Sequence, residues 1–128
     1  MAYDPIDLHK KKSDVLVIHC VDPRFQSAYR TEIDHLGKYY DLLAVPGASK
    51  AVVENPSMID YIKLLHQLHS FEEIHVMDHV ECGAFGAVED EAEDHKAMLE
   101  AAGQKLTEAI PGIKVKSYLL GQDKDLLA

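Results

Sequence analysis

No stretch of the 128-residue chain stays apolar over the roughly 18 residues that a membrane-spanning helix needs, so no membrane partner is expected. The opening Met1-Ala2-Tyr3-Asp4-Pro5 lacks the charged-then-apolar pattern of a secretory signal, and a cytoplasmic location is the expectation. Basic residues are scarce: 13 Lys and Arg stand against 22 Asp and Glu, a formal net charge of -9. Affinity for phosphate backbones comes mainly from Lys and Arg displacing counterions, so no nucleic-acid partner is expected either. The one basic cluster, His9-Lys10-Lys11-Lys12, reads as a solvated arm. Internal repeats, low-complexity tracts and linkers are absent, and the composition is 47% apolar and 27% charged. That balance excludes wholesale disorder and fibrous classes, and the length suits one core. Residues 1–128 are read as a single domain, with 1–13 as an N-terminal arm. Cysteine occurs only twice, and in a cytosolic chain two cysteines read as thiols or metal ligands ahead of a structural disulfide.

What is present alternates between strand and helix patterns. Asp14 to Cys20 is an unbroken apolar and β-branched run, the signature of a strand buried on both faces of a parallel sheet. Phe25, Ala28, Tyr29, Ile33 and Leu36 follow at helical spacing, with Gly37 as the stop. Asp41 to Val45 predicts a second strand, closed by Pro46-Gly47. Asn55-Pro56 predicts a helix start, with Met58, Ile59, Ile62, Leu65 and Leu68 on one face. Ile74 to Met77 predicts the third strand and Val115 to Leu120 the fourth. Between them a last helix carries Ala97, Met98, Ala101, Ala102, Leu106 and Ile110, and Pro111-Gly112 ends it. The acidic run from Glu89 to Asp94 reads as that helix's solvated start, where carboxylates suit the dipole. The expected fold is α/β, a Rossmann-like three-layer domain with a mostly parallel sheet of about four strands in the order 2-1-3-4.

In open α/β sheets, ligands collect at the carboxyl ends of strands where the strand order reverses. Cys20 closes the first strand, and His79 and Cys82 lie just after the third, its neighbour in that order. The spacing His79-Val80-Glu81-Cys82 lets two side chains reach one ion from a single turn, while Cys20 reaches it from across the crevice. Thiolate and imidazole together suit zinc better than magnesium or calcium. Three protein ligands leave the fourth tetrahedral position open, as a catalytic zinc requires. Asp22 and Arg24 share the Cys20 loop, where an Asp held by an Arg would orient a zinc-bound hydroxide.

Cys20-Val21-Asp22-Pro23-Arg24 and His79-Val80-Glu81-Cys82-Gly83 resemble the Cys-x-Asp-x-Arg and His-x-x-Cys-Gly motifs of the β-class carbonic anhydrases. The resemblance runs over roughly residues 14–120, including the helix, Ile-x-Val-Met strand, turn and small-residue helix between Ile59 and Val88. It implies Cys20, His79 and Cys82 as Zn2+ ligands and Asp22 with Arg24 as the dyad beside the fourth site. In some members the corresponding Asp is a further ligand in a resting state, which the resemblance implies for Asp22. The implied reaction is reversible hydration of carbon dioxide to bicarbonate in a homodimer or higher homo-oligomer. Hydrolysis of carbonyl sulfide or carbon disulfide, and zinc binding without hydratase activity, are the alternatives on the same fold. The chain departs from the family pattern at Pro23, usually Ser, and at Asp78, usually Gly. Val45-Pro46-Gly47-Ala48-Ser49 replaces a polar Arg-Asn-Ala-Gly-Asn-like segment, and the long N-terminal helical arm that embraces a partner is not found.

His19 is expected to be structural, pointing away from Cys20, and Gly47-Ala48-Ser49-Lys50 to be an ordinary loop. The histidines at 9, 35, 66, 69, 75 and 95 are expected at mostly exposed helix or strand flanks.

Overall fold

In the computed structural model, which describes residues 2–128, the apolar run Val15–His19 forms β1 with every residue buried. β2 is Tyr40–Ala44, β3 is Glu73–His79 and β4 is Lys114–Leu120. All pairings are parallel and the order is β2-β1-β3-β4, as the alternation of patterns predicts. Parallel neighbours need crossovers, and four helices supply them: α1 Gln26–Asp34, α2 Ser49–Glu54, α3 Pro56–His69 and α4 Glu91–Ala109.

Alternate residues of each strand serve opposite faces. Val15 and Val17 of β1 pack with Tyr29 and Ile33 of α1, together with Met77, Tyr118 and Leu120. Leu16 and Ile18 pack on the other face with Val52, Ile62, Leu99, Ala102 and Leu106, contributed by α2, α3 and α4. The result is one helix, the sheet and three helices in three layers. Residues 2–12 precede them, exposed and without helix or strand.

Several local expectations shift. α1 starts only at Gln26, because Pro23–Phe25 forms a single 3-10 turn whose first N–H groups answer to Asp22. Asn55 stands at the N-cap of α3 and Pro56 at its first position, yet the Asn55 side chain donates back to the Ala51 carbonyl at 3.1 Å instead of capping. Asp90 caps α4 by accepting the Glu93 N–H, and Glu91, Glu93 and Asp94 fill its first turn, as the acidic run predicts. The buried face of α4 is His95, Leu99, Ala102 and Leu106, not the Ala97–Met98–Ala101 side. Steps of four, three and four residues keep those side chains over the sheet. Leu68 on α3 is exposed. His75 and His95 are also buried, against expectation. For His75 the reason is a cross-strand partner, the Tyr118 hydroxyl 2.7 Å from its Nδ1. Burial lowers the His75 pKa and pushes the Tyr118 hydroxyl up to about 12.

Candidate metal centre

The register of β1 against β3, with Ile18 opposite Val76 and His19 opposite Met77, brings the carboxyl ends of the two strands side by side. β1 ends at His19, so Cys20 is the first residue of the loop, whereas β3 runs on to His79. The chain then doubles back. The Val80 N–H bonds the Leu120 carbonyl, and Glu81 adopts a left-handed φ of 54° with its N–H on the Glu91 carboxylate. Cys82 starts a 3-10 turn over Gly83–Phe85. Its Sγ lies 3.9 Å from that of Cys20, and one donor atom each from Cys20, His79 and Cys82 falls within 4.8 Å of the others.

Donor chemistry and spacing both fit a tetrahedral zinc ion. Two sulfurs bound to one such ion at about 2.3 Å stand roughly 3.8 Å apart. The His79 imidazole is fully buried and stacks on Phe25, with ring centroids 4.4 Å apart. Its Nδ1 is 2.7 Å from the Val80 carbonyl, which fixes the proton there and leaves Nε2 as the free lone pair. Nε2 is buried with no protein hydrogen bond. Such an atom costs about 1–3 kcal/mol unless something binds it. Burial, and then the neighbouring Cys20, raise the Cys82 thiol above its usual pKa. Cys82 therefore gives up its proton when a cation binds, so metal uptake releases protons and strengthens as pH rises.

Asp22 lies beside the third donor, its Oδ2 3.8 Å from His79 Nε2. Arg24 grips its carboxylate, with Nε 3.1 Å from Oδ1, Nη2 2.8 Å from Oδ2 and its backbone N–H 2.8 Å from Oδ1. The same Nη2 donates to the Glu81 carbonyl at 3.0 Å, tying the Cys20 loop to the turn that carries Cys82. These bonds from Arg24 hold the Asp22 carboxyl at about 2, and Asp22 in turn raises the Arg24 pKa. Asp22 is thus an anion, and only an acceptor, throughout the neutral range. Pro23 fits without loss, since it sits at the start of the 3-10 turn, where no donor is needed.

The five residues singled out from the sequence converge here. The Gly47 N–H donates to Cys20 Sγ at 3.5 Å, so residues 47–50 are not an ordinary loop but lead into the unforeseen α2. Asp78 does not enter the site: it projects from the other face of β3 and bonds Ser49 and His95. His19 stacks on Tyr29 at 4.2 Å and its Nδ1 lies 2.7 Å from the Cys20 carbonyl, a structural role as expected, but on the Tyr29 side where Cys20 also packs and not away from it. Burial lowers its pKa, keeping it neutral.

A family model described as "Putative carbonic anhydrase" matches residues 10–126, nearly the whole chain. The chain is a divergent member of the β-class carbonic anhydrase family. An uncharacterized protein of Rickettsia bellii is 31% identical over 88% of this chain and 79% of its own. Among solved structures, β-carbonic anhydrase isoform I of Trichomonas vaginalis superposes with a TM-score of 0.67 at 13% identity, covering 94% of this chain and 84% of that one. The apo form of a carbon disulfide hydrolase superposes with a TM-score of 0.56 at 13% identity, over 87% and 75%. At such identities the superpositions speak for the shared fold.

A depressed carboxylate pKa stabilises the fold fully above the unfolded value and loses that contribution as pH falls through the folded one. The stability advantage of the native protein over Asp22→Asn is therefore constant above about pH 4 and vanishes between about pH 4 and pH 2. Urea unfolding of both proteins at stepped pH reads it directly; an unchanged difference down to pH 2 would contradict the Asp22–Arg24 pairing.

Proposed function

We propose that the protein hydrates carbon dioxide reversibly to bicarbonate, with Cys20, His79 and Cys82 holding one Zn2+ ion. The observation that carries this reading is the convergence of the three donors with a carboxylate, fixed by Arg24, beside the unpartnered His79 Nε2. Zinc, when bound, supplies a Lewis acid that lowers the pKa of a water from about 16 to about 7, so no organic cofactor is required. Asp22 accepts a hydrogen bond from the attacking water and turns its lone pair toward the substrate carbon. Arg24 keeps both carboxylate oxygens in place, so orientation costs nothing at the moment of reaction. Asp22 serves as a fourth, resting ligand only when Arg24 lets it go. The two cysteines are 5% exposed and His79 is closed off, a narrow approach that suits a small linear substrate.

One observation favours a second substrate class. Ser49, the polar side chain of the 45–49 segment, is fully buried on Asp78, so the segment's contact with Cys20 is made by the Gly47 backbone. A wall without polar side chains suits carbonyl sulfide or carbon disulfide, which need the same nucleophile.

Stopped-flow hydration of carbon dioxide on metal-quantified protein, from pH 6.5 to 9, is expected to show rapid zinc-dependent turnover. Asp22→Asn should cut kcat on the order of a hundredfold with zinc retained, and Cys20→Ser should lose the metal. One equivalent of zinc with no hydration at any pH would discard the hydratase, and sulfide release from the sulfur analogues in the same preparation would put the second class in its place.

The protein acts as a homodimer or higher homo-oligomer in this reading. Tyr61, Leu64 and Leu68 form an exposed apolar stripe on α3, at 62%, 47% and 58% exposure. His69, at the end of α3, bonds Asp41 of β2 at 2.7 Å, so the stripe ends beside an open sheet edge where Leu42 is also exposed. Sedimentation velocity at micromolar concentration should show a dimer or larger species that Leu64→Lys shifts toward monomer; a native protein that is monomeric throughout would refute it.

A further inference from the structure

We infer that Ser49, Asp78 and His95 form a positioning network that holds the Cys20 arm of the metal centre from the opposite face of the sheet. The inference rests on reading Cys20 as a ligand. Successive residues of β3 face opposite ways, so His79 serves the donor cluster while its neighbour Asp78 points between α2 and α4. There the carboxylate meets three donors: the Ser49 N–H at 3.0 Å, the Ser49 hydroxyl at 2.6 Å and His95 Nδ1 at 2.8 Å. Ser49 and His95 are fully buried and Asp78 is 2% exposed. A carboxylate that deep is tolerated only when its lone pairs are answered, and here they are.

Ser49 directly follows two residues with left-handed backbone, Gly47 at φ 83° and Ala48 at φ 42°. For a non-glycine residue such as Ala48 that conformation costs about 1–3 kcal/mol, so something must hold it. The paired bonds from Ser49 to Asp78 do so. What the strained turn delivers is the Gly47 N–H, aimed at Cys20 Sγ. A backbone N–H donated to sulfur fixes where that sulfur sits, so the turn positions the Cys20 side chain.

The same turn braces the second cysteine arm. A Cβ on Gly47 would sit 3.1 Å from that of Ala84, so the turn packs tightly against the one following Cys82. Lys50 Nζ also donates to the Ala84 carbonyl at 2.8 Å. His95 packs on Phe85 with ring centroids 3.9 Å apart, and its Nε2 lies 3.9 Å from the Glu91 carboxylate that accepts the Glu81 N–H. One buried cluster thus steadies both loops that carry sulfur, without touching the metal.

Two readouts test the network on the full-length protein: zinc affinity by competition with a chromogenic chelator, and the thiolate-to-cobalt charge-transfer band of the cobalt-substituted form. Ser49→Ala and Asp78→Asn should each weaken zinc binding roughly 10–100-fold and shift the band. Leu106→Ala, in the core of α4 away from the network, should lower Tm and leave both readouts at native values. Should Asp78→Asn not fold, Ser49→Ala, which removes a single hydroxyl, carries the test. Native affinity and an unmoved band in a folded Ser49→Ala would overturn the inference while the metal reading stands. A native protein that binds neither metal would remove the metal reading and this inference with it.

Discussion

Leu16 to His19 of β1 run in parallel with Ile74 to Met77 of β3, and this pairing decides where the three donor side chains meet. It aligns the carboxyl ends of the two central strands at the point where the order β2-β1-β3-β4 sends one crossover to each side. β3 then extends to His79, beyond the last residue of β1, so an imidazole and two thiols approach one another from different segments. Side chains alternate along a strand, so a slip of one residue would carry His79 to the Asp78 face and Asp78 to the sulfurs. The imidazole and the carboxylate would change places. The apolar residues on both faces of β1 forbid the slip, because each is matched to a helix.

The second governing fact is that the three donors are buried without enough protein partners. Burial raises the Cys82 thiol, and His79 Nε2 lacks a hydrogen bond. Here the surroundings are arranged for charge: an N–H on one sulfur, a fixed imidazole tautomer, and a carboxylate clamped by Arg24 at the margin. The two faces of β3 divide the work. One side presents donors, and the other stores the polar bonds that keep the donor loops in position.

Much of this was legible in the sequence, and the reasons differ by element. The sheet order followed from four apolar runs separated by helical spacings, because strands covered on both faces announce themselves without alternation. Cys20, Asp22, Arg24, His79 and Cys82 were legible because short spacings bind them to strand ends. α2 was not, since a six-residue helix entered through left-handed Gly47 and Ala48 has no cap signal. The roles of Asp78, Ser49 and His95 depend on partners 17 and 29 residues apart, and no local pattern reports them. His95 alone left a trace: with Leu99, Ala102 and Leu106 it completes a stripe that marks the inward face of α4. His75 left none, since its partner Tyr118 lies on another strand.

The central claim is that a single zinc ion is held by two sulfurs and one imidazole nitrogen, and X-ray absorption at the zinc edge of metal-quantified protein addresses it most directly. The account predicts two sulfurs at about 2.3 Å, one imidazole nitrogen near 2.0–2.1 Å and one further light atom. Zinc surrounded only by nitrogen and oxygen, or no zinc above background after reconstitution, would contradict it.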